Sequence, residues 1–312
     1  MSSEIKLNKY NRKHWIKLGA QIYKLFLNKK NKQPDLTNLG YNKISNTYDN
    51  AWTNHMRDPS KDMLNRLCLP VKGIGIDLTC GTGYITGLLA EKIDGKVTGV
   101  DSSEGMIYAA RQKFGNKCNF VCSDIFEYLN KQPSKSVDVV TCAWGMGYTK
   151  PYKLIKEISR ILKPNGQVGI IDSNIFTLFE VVKTGILTVA EYPQAITNVM
   201  NVGWLLSSGS LNRRMMICGL QVCSSWKGEK TFYAKDGNEA INRLIETGSA
   251  AGIDFCFDEA YHKIIKNRFA EIFEEQYRNE KGLPITVRYI GSVAKKHKFN
   301  YYFLLLFFLN IL

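Results

Sequence analysis

Three aspartates stand at the ends of successive short apolar runs: Asp77 in the run Ile74–Leu78, Asp101 after Lys96–Val100 and Asp124 after Asn119–Ser123. The first is followed at once by a glycine turn, Thr79-Cys80-Gly81-Thr82-Gly83, and then by the apolar residues Ile85, Leu88 and Leu89 at helical spacing. Glycine belongs in such a turn because a side chain would block the approach of backbone to ligand and because the turn calls for positive φ. A carboxylate one helix and one strand further on, as Asp101 is, suits a ribose diol. Asp124, followed by Ile125, offers an edge and a face for an adenine ring. A dinucleotide fingerprint would need glycine where Thr86 stands, and the glycine comes one place late at Gly87. Asp77 would repel a pyrophosphate but suits an ammonium or sulfonium charge. The bland alternative is that Asp77 caps the turn and the glycines only reverse the chain.

These residues need a scaffold that brings strand ends into one row. A parallel sheet with helical crossovers does this, and open α/β sheets bind their ligands at the carboxyl edge. A ligand with both positive charges and an adenosyl group is S-adenosylmethionine. No single residue stands out as a general base. Asp172, at the end of a fifth apolar run from Gln167 to Ile171, is a candidate to orient an acceptor or take its proton, with His55 and His262 as weaker ones.

At this point the chain resembles the class I S-adenosylmethionine-dependent methyltransferases. The resemblance lies in Asp77-Leu78-Thr79-Cys80-Gly81-Thr82-Gly83, Asp101-Ser102-Ser103-Glu104-Gly105-Met106, Cys122-Ser123-Asp124-Ile125, Val137-Asp138-Val139-Val140 and Leu162-Lys163-Pro164-Asn165-Gly166-Gln167. It covers residues 41–172 and departs from the family at Thr79, where a first glycine is common. It implies a Rossmann-like α/β fold: a seven-stranded mixed sheet flanked by helices, its last strand antiparallel, with N-terminal helices and a helical insertion after strand five. It also implies S-adenosylmethionine as cofactor, held by Tyr48, Asp77, Thr79, Gly81, Thr82, Gly83, Asp101, Ser102, Met106, Asp124, Ile125 and Trp144. The loop Ala143–Tyr148 lacks the Asn/Asp-Pro-Pro-Tyr/Phe grouping with which relatives hold the amine of a nucleic-acid base; its Trp144, Met146 and Tyr148 offer apolar and aromatic surface instead. Trp144 could equally fill the space beneath the helix Pro151–Leu162.

The net charge of +14 sits mostly at the ends of the 312-residue chain: +8 in residues 1–33 and +3 at Lys295, Lys296 and Lys298, which leaves +3 for the body. A nucleic-acid partner is therefore less expected than a small molecule. Eight cysteines form no CxxC pair and no grouping with histidine, so no metal is expected, and a reducing cytoplasm is the expected compartment. Tyr10–Leu27 reads as a basic amphipathic helix able to dock on its own domain, lie in an anionic membrane interface or touch RNA. Lys17 and Lys24 interrupt its apolar stretch, so it does not read as a secretory leader. The run 301–312 is almost wholly apolar, but twelve helical residues span only about 18 Å, too short to cross a bilayer core of about 30 Å. It could dip into one leaflet or pack on the domain; in the first case two weak anchors acting together could hold the protein on the inner face of the membrane.

The expected organisation is a basic helix (1–33), a cofactor-binding part (34–172), a helical insertion forming an acceptor lid (173–235), the domain's C-terminal part (236–294) and a basic-hydrophobic tail (295–312). Within it, Pro34–Gly40 reads as a linker, Tyr41–Met56 and Pro59–Leu69 as helices, Asn238–Ala251 and Glu259–Asn279 as helices, and Ile253–Phe257 and Pro284–Ala294 as strands six and seven. The reading that follows is methyl transfer to a small lipophilic acceptor such as a lipid or quinone. An RNA methyltransferase using the basic helix, a nicotinamide-dependent oxidoreductase and a non-catalytic cofactor-binding protein are the alternatives.

Overall fold

A computed structural model describes residues 12–28, 36–199, 203, 205–249 and 252–297; the expectations for the 301–312 tail fall outside them. The chain divides into two compact units, one of residues 1–52, 176–201 and 229–287, the other of residues 53–175, 202–228 and 288–312.

The second unit carries the parallel part of the sheet: β1 (Lys72–Leu78), β2 (Asp94–Asp101), β3 (Asn119–Cys122), β4 (Val137–Ala143) and β5 (Leu162–Ser173). Strand order across the whole sheet is β3-β2-β1-β4-β5-β7-β6, with β6 at Leu220–Ala234 and β7 at Leu283–Lys296. β1 pairs in parallel with β2 and β4, β4 with β5, and β7 runs antiparallel to β5 from Gln167↔Lys295 to Ser173↔Tyr289. The expected seven-stranded mixed sheet with an antiparallel last strand is thus present.

The buried strands are apolar on both faces because helices cover both, as parallel sheets require. Ile76, Leu78, Val140, Cys142, Val168 and Ile170 point to one side, where α7 (Pro151–Ile161) lays down Leu154, Ile155, Ile158 and Ile161. Val139 and Val97 point to the other, against Leu64 of α3 (Asn54–Asn65) and Leu89 of α4 (Tyr84–Lys92). Pro151 opens α7 at its first turn, where a missing N–H costs nothing. The remaining crossover helices are α5 (Glu104–Phe114) and α6 (Ile125–Asn130), with α9 (Ser208–Ile217) added later.

The other unit holds α1 (Arg12–Asn28), α2 (Leu36–Ile44), α8 (Phe179–Glu191), α10 (Gly237–Glu246) and α11 (His262–Tyr277). Leu18, Ile22 and Leu25 of α1 pack with Val189 and Ala190 of α8, and the Gln21 amide donates to the Ile196 carbonyl at 2.8 Å. A two-pronged ion pair from Arg268 to Glu191, 2.7 and 2.9 Å, ties α11 to α8.

Four expectations fail locally. Strand six is Leu220–Ala234, in the segment expected to be helical, while Ile253–Cys256 forms a 3-10 turn after Gly252, whose φ is +87°. Exposure alternates along 220–230, with Gln221, Cys223, Ser225, Lys227 and Glu229 outward, but Ser224 and Lys230 at inward positions blunt that period in the letters. An edge strand carries polar and charged outward residues, so its apolar content is low and its period is the better guide. The linker Pro34–Gly40 is short, since α2 begins at Leu36. Tyr41–Met56 is not one helix: α2 ends at Ile44 and a π-helical turn, Asp49–Thr53, precedes α3. Pro59 then lies inside α3, not at a start, on the carboxyl side of that widened turn.

Candidate functional site

The strand order reverses between β1 and β4, since β1 leads outward to β2 and β3 while β4 leads the other way to β5. The crevice at the carboxyl ends of those two strands is where such a sheet can take a ligand. Two residues that flank it have strained backbone. Thr79, just past β1, has φ +59°, and Trp144, just past β4, has φ +62°, both left-handed in residues that resist it. Gly145 makes room for the first of these, because a Cβ on it would overlap the Thr79 side chain. The Thr79 hydroxyl donates to the Leu78 carbonyl.

Asp77, at the heart of this crevice, is 1% exposed. Its Oδ2 accepts from the Thr86 hydroxyl and its Oδ1 from the Thr141 hydroxyl, both at 2.7 Å. Burial pushes its pKa up to about 7, against the lowering effect of the two hydroxyls. The carboxylate thereby joins β1, α4 and β4. Thr141 is the residue paired with Asp77 across the sheet, which is why spacing in the sequence could not single it out. The turn itself is held by Gly83 N–H to the Cys80 carbonyl, 2.9 Å, and Cys80 N–H to the Val100 carbonyl, 3.0 Å. Gly81 and Gly83 have φ of +52° and +85°, as a glycine turn demands. Gly83 caps α4 without any side-chain bond, and Thr82 is buried beside it.

Asp101 closes the turn from the β2 side. Its Oδ2 accepts the Gly81 N–H and its Oδ1 the Ser103 N–H, both at 2.9 Å, and burial raises its pKa. The Ser102 N–H also acts on this carboxylate, so backbone amides use three of its about four acceptor directions and one stays open to a ribose hydroxyl. Met106 is buried on α5, its N–H bonded to the capping Ser103 Oγ at 3.2 Å. Asp124 is exposed and caps α6: its Oδ1 accepts from Phe126 N–H at 2.8 Å and Glu127 N–H at 3.0 Å, with Ile125 buried behind it. Along the edge, the carboxylates pass from exposed Asp124 through half-buried Asp101 to buried Asp77.

On the far side of the crevice, Asp172 ends β5, 5% exposed, its pKa pushed by burial to about 6. Its oxygens accept the Ser173 N–H at 2.6 Å and the Gly147 N–H at 3.1 Å, so it holds the loop that leaves β4. That loop is less apolar at the surface than its composition suggests. Met146 is fully buried in the core, and Trp144 turns toward α3 and β7, not beneath α7. The Trp144 Nε1–H donates to Ser60 Oγ at 2.8 Å and its ring meets Tyr289 edge-on, centroids 5.6 Å apart. Tyr148 alone of the three aromatic or sulfur side chains stays exposed. A strap from the insertion runs beside it: Gly203 N–H donates to the Gly147 carbonyl at 2.7 Å and Ile175 N–H to the Leu205 carbonyl at 3.0 Å. Tyr148, Ile175 and Leu206 form the exposed apolar rim of this side.

His55 lies on α3 in the same unit. Tyr48 and His262 belong to the other unit, where Tyr48 meets Tyr41 edge-on at 5.9 Å and His262 Nε2 is 3.2 Å from the Phe257 carbonyl oxygen. Thr86, Thr141, Ser60 and Gly145 are site-building residues that the sequence did not announce. Each acts through a partner on another element, and only the fold supplies that partner. Among the described residues, no three His, Cys, Asp or Glu side chains converge on a point that could hold a metal ion.

Comparison with known proteins bears on the same region. Residues 76–166 match the family model described as methyltransferase domain. The chain is 37% identical over 108 residues to demethylmenaquinone methyltransferase of Lactococcus lactis, covering 33% of this chain and 43% of that enzyme. It is 26% identical over 277 residues to malonyl-[acyl-carrier protein] O-methyltransferase of a Marinomonas species, covering 84% and 97%. With the Staphylococcus aureus demethylmenaquinone methyltransferase the identity is 31%, over 51% of this chain and 62% of that one. The chain thus spans less than two thirds of the two demethylmenaquinone enzymes. A candidate methyltransferase of Bacillus halodurans superposes with a TM-score of 0.55 at 15% identity, covering 77% of this chain and all of that one, which shows the shared fold. The reversal of strand order at a glycine turn, the carboxylate row beside it and the match over residues 76–166 give this part of the chain the methyltransferase domain, on the Rossmann-like fold that its structural neighbours share.

Proposed function

We propose that this protein transfers the methyl group of S-adenosylmethionine to a small lipophilic acceptor. The observation that carries the acceptor class is the apolar rim of Tyr148, Ile175 and Leu206 at the carboxyl ends of β4 and β5, opposite the carboxylates of β1 and β2. Relatives named for menaquinone and acyl-carrier substrates support the same class.

The crevice fits the cofactor. Asp101 would take a ribose hydroxyl on its remaining acceptor direction, Asp124 and Ile125 the adenine edge and face, and the Thr79–Gly83 turn the methionine end. When bound, the cofactor supplies an electrophilic methyl carbon on a sulfonium whose departure as a neutral thioether needs no acid. The chain's residues therefore have alignment as their main task, together with exclusion of water. Asp77 places negative charge beneath the turn, Trp144 and Met146 anchor the β4 loop, and Asp172 sets its backbone through Gly147. In this reading Asp172 positions the acceptor loop, because, unlike half-buried Asp101, it is buried and its oxygens hold the backbone of that loop.

Incubation with methyl-labelled cofactor and a cell extract, separated into lipid, nucleic-acid, protein and small-molecule fractions, tests the proposal. Label is expected in the lipid or apolar small-molecule fraction; label in RNA would overturn the acceptor class. Calorimetry tests the donor site: Asp101→Ala is expected to weaken cofactor binding by at least about tenfold, the loss of a charge-assisted hydrogen bond and of the carboxylate that holds the turn. Equal affinity in the variant would remove the assignment.

A further inference from the structure

α1 has more apolar residues than its packing uses. At about 100° per residue, Leu18, Ile22 and Leu25 share the sector that docks on α8, while Ile16, Tyr23 and Leu27 lie in the opposite sector. These three are 61%, 65% and 58% exposed, so among the described residues nothing covers them. Exposed Lys13, Lys17 and Lys24 fall in the sector next to them, and the helix contains no acidic residue. The same side of the unit carries a second strip. Phe179, Val182 and Ile186 of α8 are about half exposed and lie in the sector of α8 that Val189 and Ala190 use to meet α1.

We propose that the outward face of α1, with the α8 strip beside it, docks on the interface of an anionic membrane. An apolar strip bordered by lysines matches a bilayer in which acyl chains lie under negative headgroups. A second copy of the chain fits less well, because α1 offers no carboxylate to meet the partner's lysines. RNA fits less well too, since two of the three, Ile16 and Leu27, are aliphatic and only Tyr23 offers a base a ring to stack on. The surface lies wholly within one unit and is independent of the methyl-transfer reading; an enzyme held there would meet a lipophilic acceptor where it dissolves.

The test is co-sedimentation of the full chain with vesicles of phosphatidylcholine alone or mixed with phosphatidylglycerol. Partition to the mixed vesicles is expected, and it should fall as salt rises. Joint replacement Ile16→Ser, Tyr23→Ser and Leu27→Ser should reduce partition by about tenfold or more, with circular dichroism and cofactor affinity unchanged. Lys17→Glu with Lys24→Glu, both at exposed positions, should do the same on mixed vesicles, which keeps the test valid should the triple variant fail to fold. Unchanged partition in the variants would overturn the proposal, since a tail outside this surface would then carry the binding. So would binding to tRNA but not to vesicles, or a change of oligomeric state as the only effect of the substitutions.

Discussion

Thr79 stands where a glycine would be unstrained, and its side chain is accommodated by the missing Cβ of Gly145 across the crevice. The two positions should therefore be coupled. Gly145→Ala is expected to destabilise the protein by about 1–3 kcal/mol, and most of that cost should vanish in a Thr79→Gly background, giving a large interaction energy in a denaturant double-mutant cycle. Strict additivity would show that the two residues do not share the space. Asp77 gives a second residue-level test through pH. Its folded pKa of about 7 lies above the ordinary 3.8, so between those values the folded state holds the extra proton. Stability therefore falls as pH rises through that window, and the burial penalty is complete above about pH 7. Asp77→Asn removes the titration while keeping a polar group between Thr86 and Thr141. Relative to the native protein, its melting temperature should improve by several degrees on going from pH 5 to pH 8. A difference independent of pH would mean that Asp77 is not buried as an acid.

Among the elements, α7 shows most plainly how pattern becomes packing. Leu154, Ile155, Ile158 and Ile161 are fully buried against β4 and β5, while Lys156 faces solvent. Ile158→Ala should cost about 3 kcal/mol in denaturant unfolding, and Lys156→Ala less than about 0.5 kcal/mol. This helix was legible because its apolar residues repeat at helical spacing between Pro151 and the Pro164-Asn165-Gly166 turn. The strands β1 to β5 were legible for a similar reason, being apolar runs bounded by turns, with an Asp at or within two residues of the end of β1, β2, β3 and β5. β6 was not, because an edge strand keeps only the alternation of a sheet and little of its apolar content. The π-helical turn at Asp49–Thr53 was equally silent, as no local residue pattern demands it.

For the molecule as a whole, the carboxylate row lies in one unit and the α1–α8 surface in the other. Cofactor binding should therefore protect amides locally in hydrogen exchange. Residues 79–87 and 101–106 are expected to slow markedly in its presence, while α10 and α11 exchange as before. Unchanged exchange at 79–87 would mean that the ligand sits elsewhere.

The chain's own letters were enough to set the class of sheet, the glycine turn and the three strand-end aspartates, because these follow from local periodicity and from the backbone freedom of glycine. What they could not set was how each aspartate is used. That Asp77 is clamped by Thr86 and Thr141, that Asp172 holds Gly147, and that Trp144 turns to Ser60 all depend on the register of neighbouring strands and on which helix covers which face. Such partners lie up to 84 residues apart, and long-range pairing is decided by the packing of the whole core.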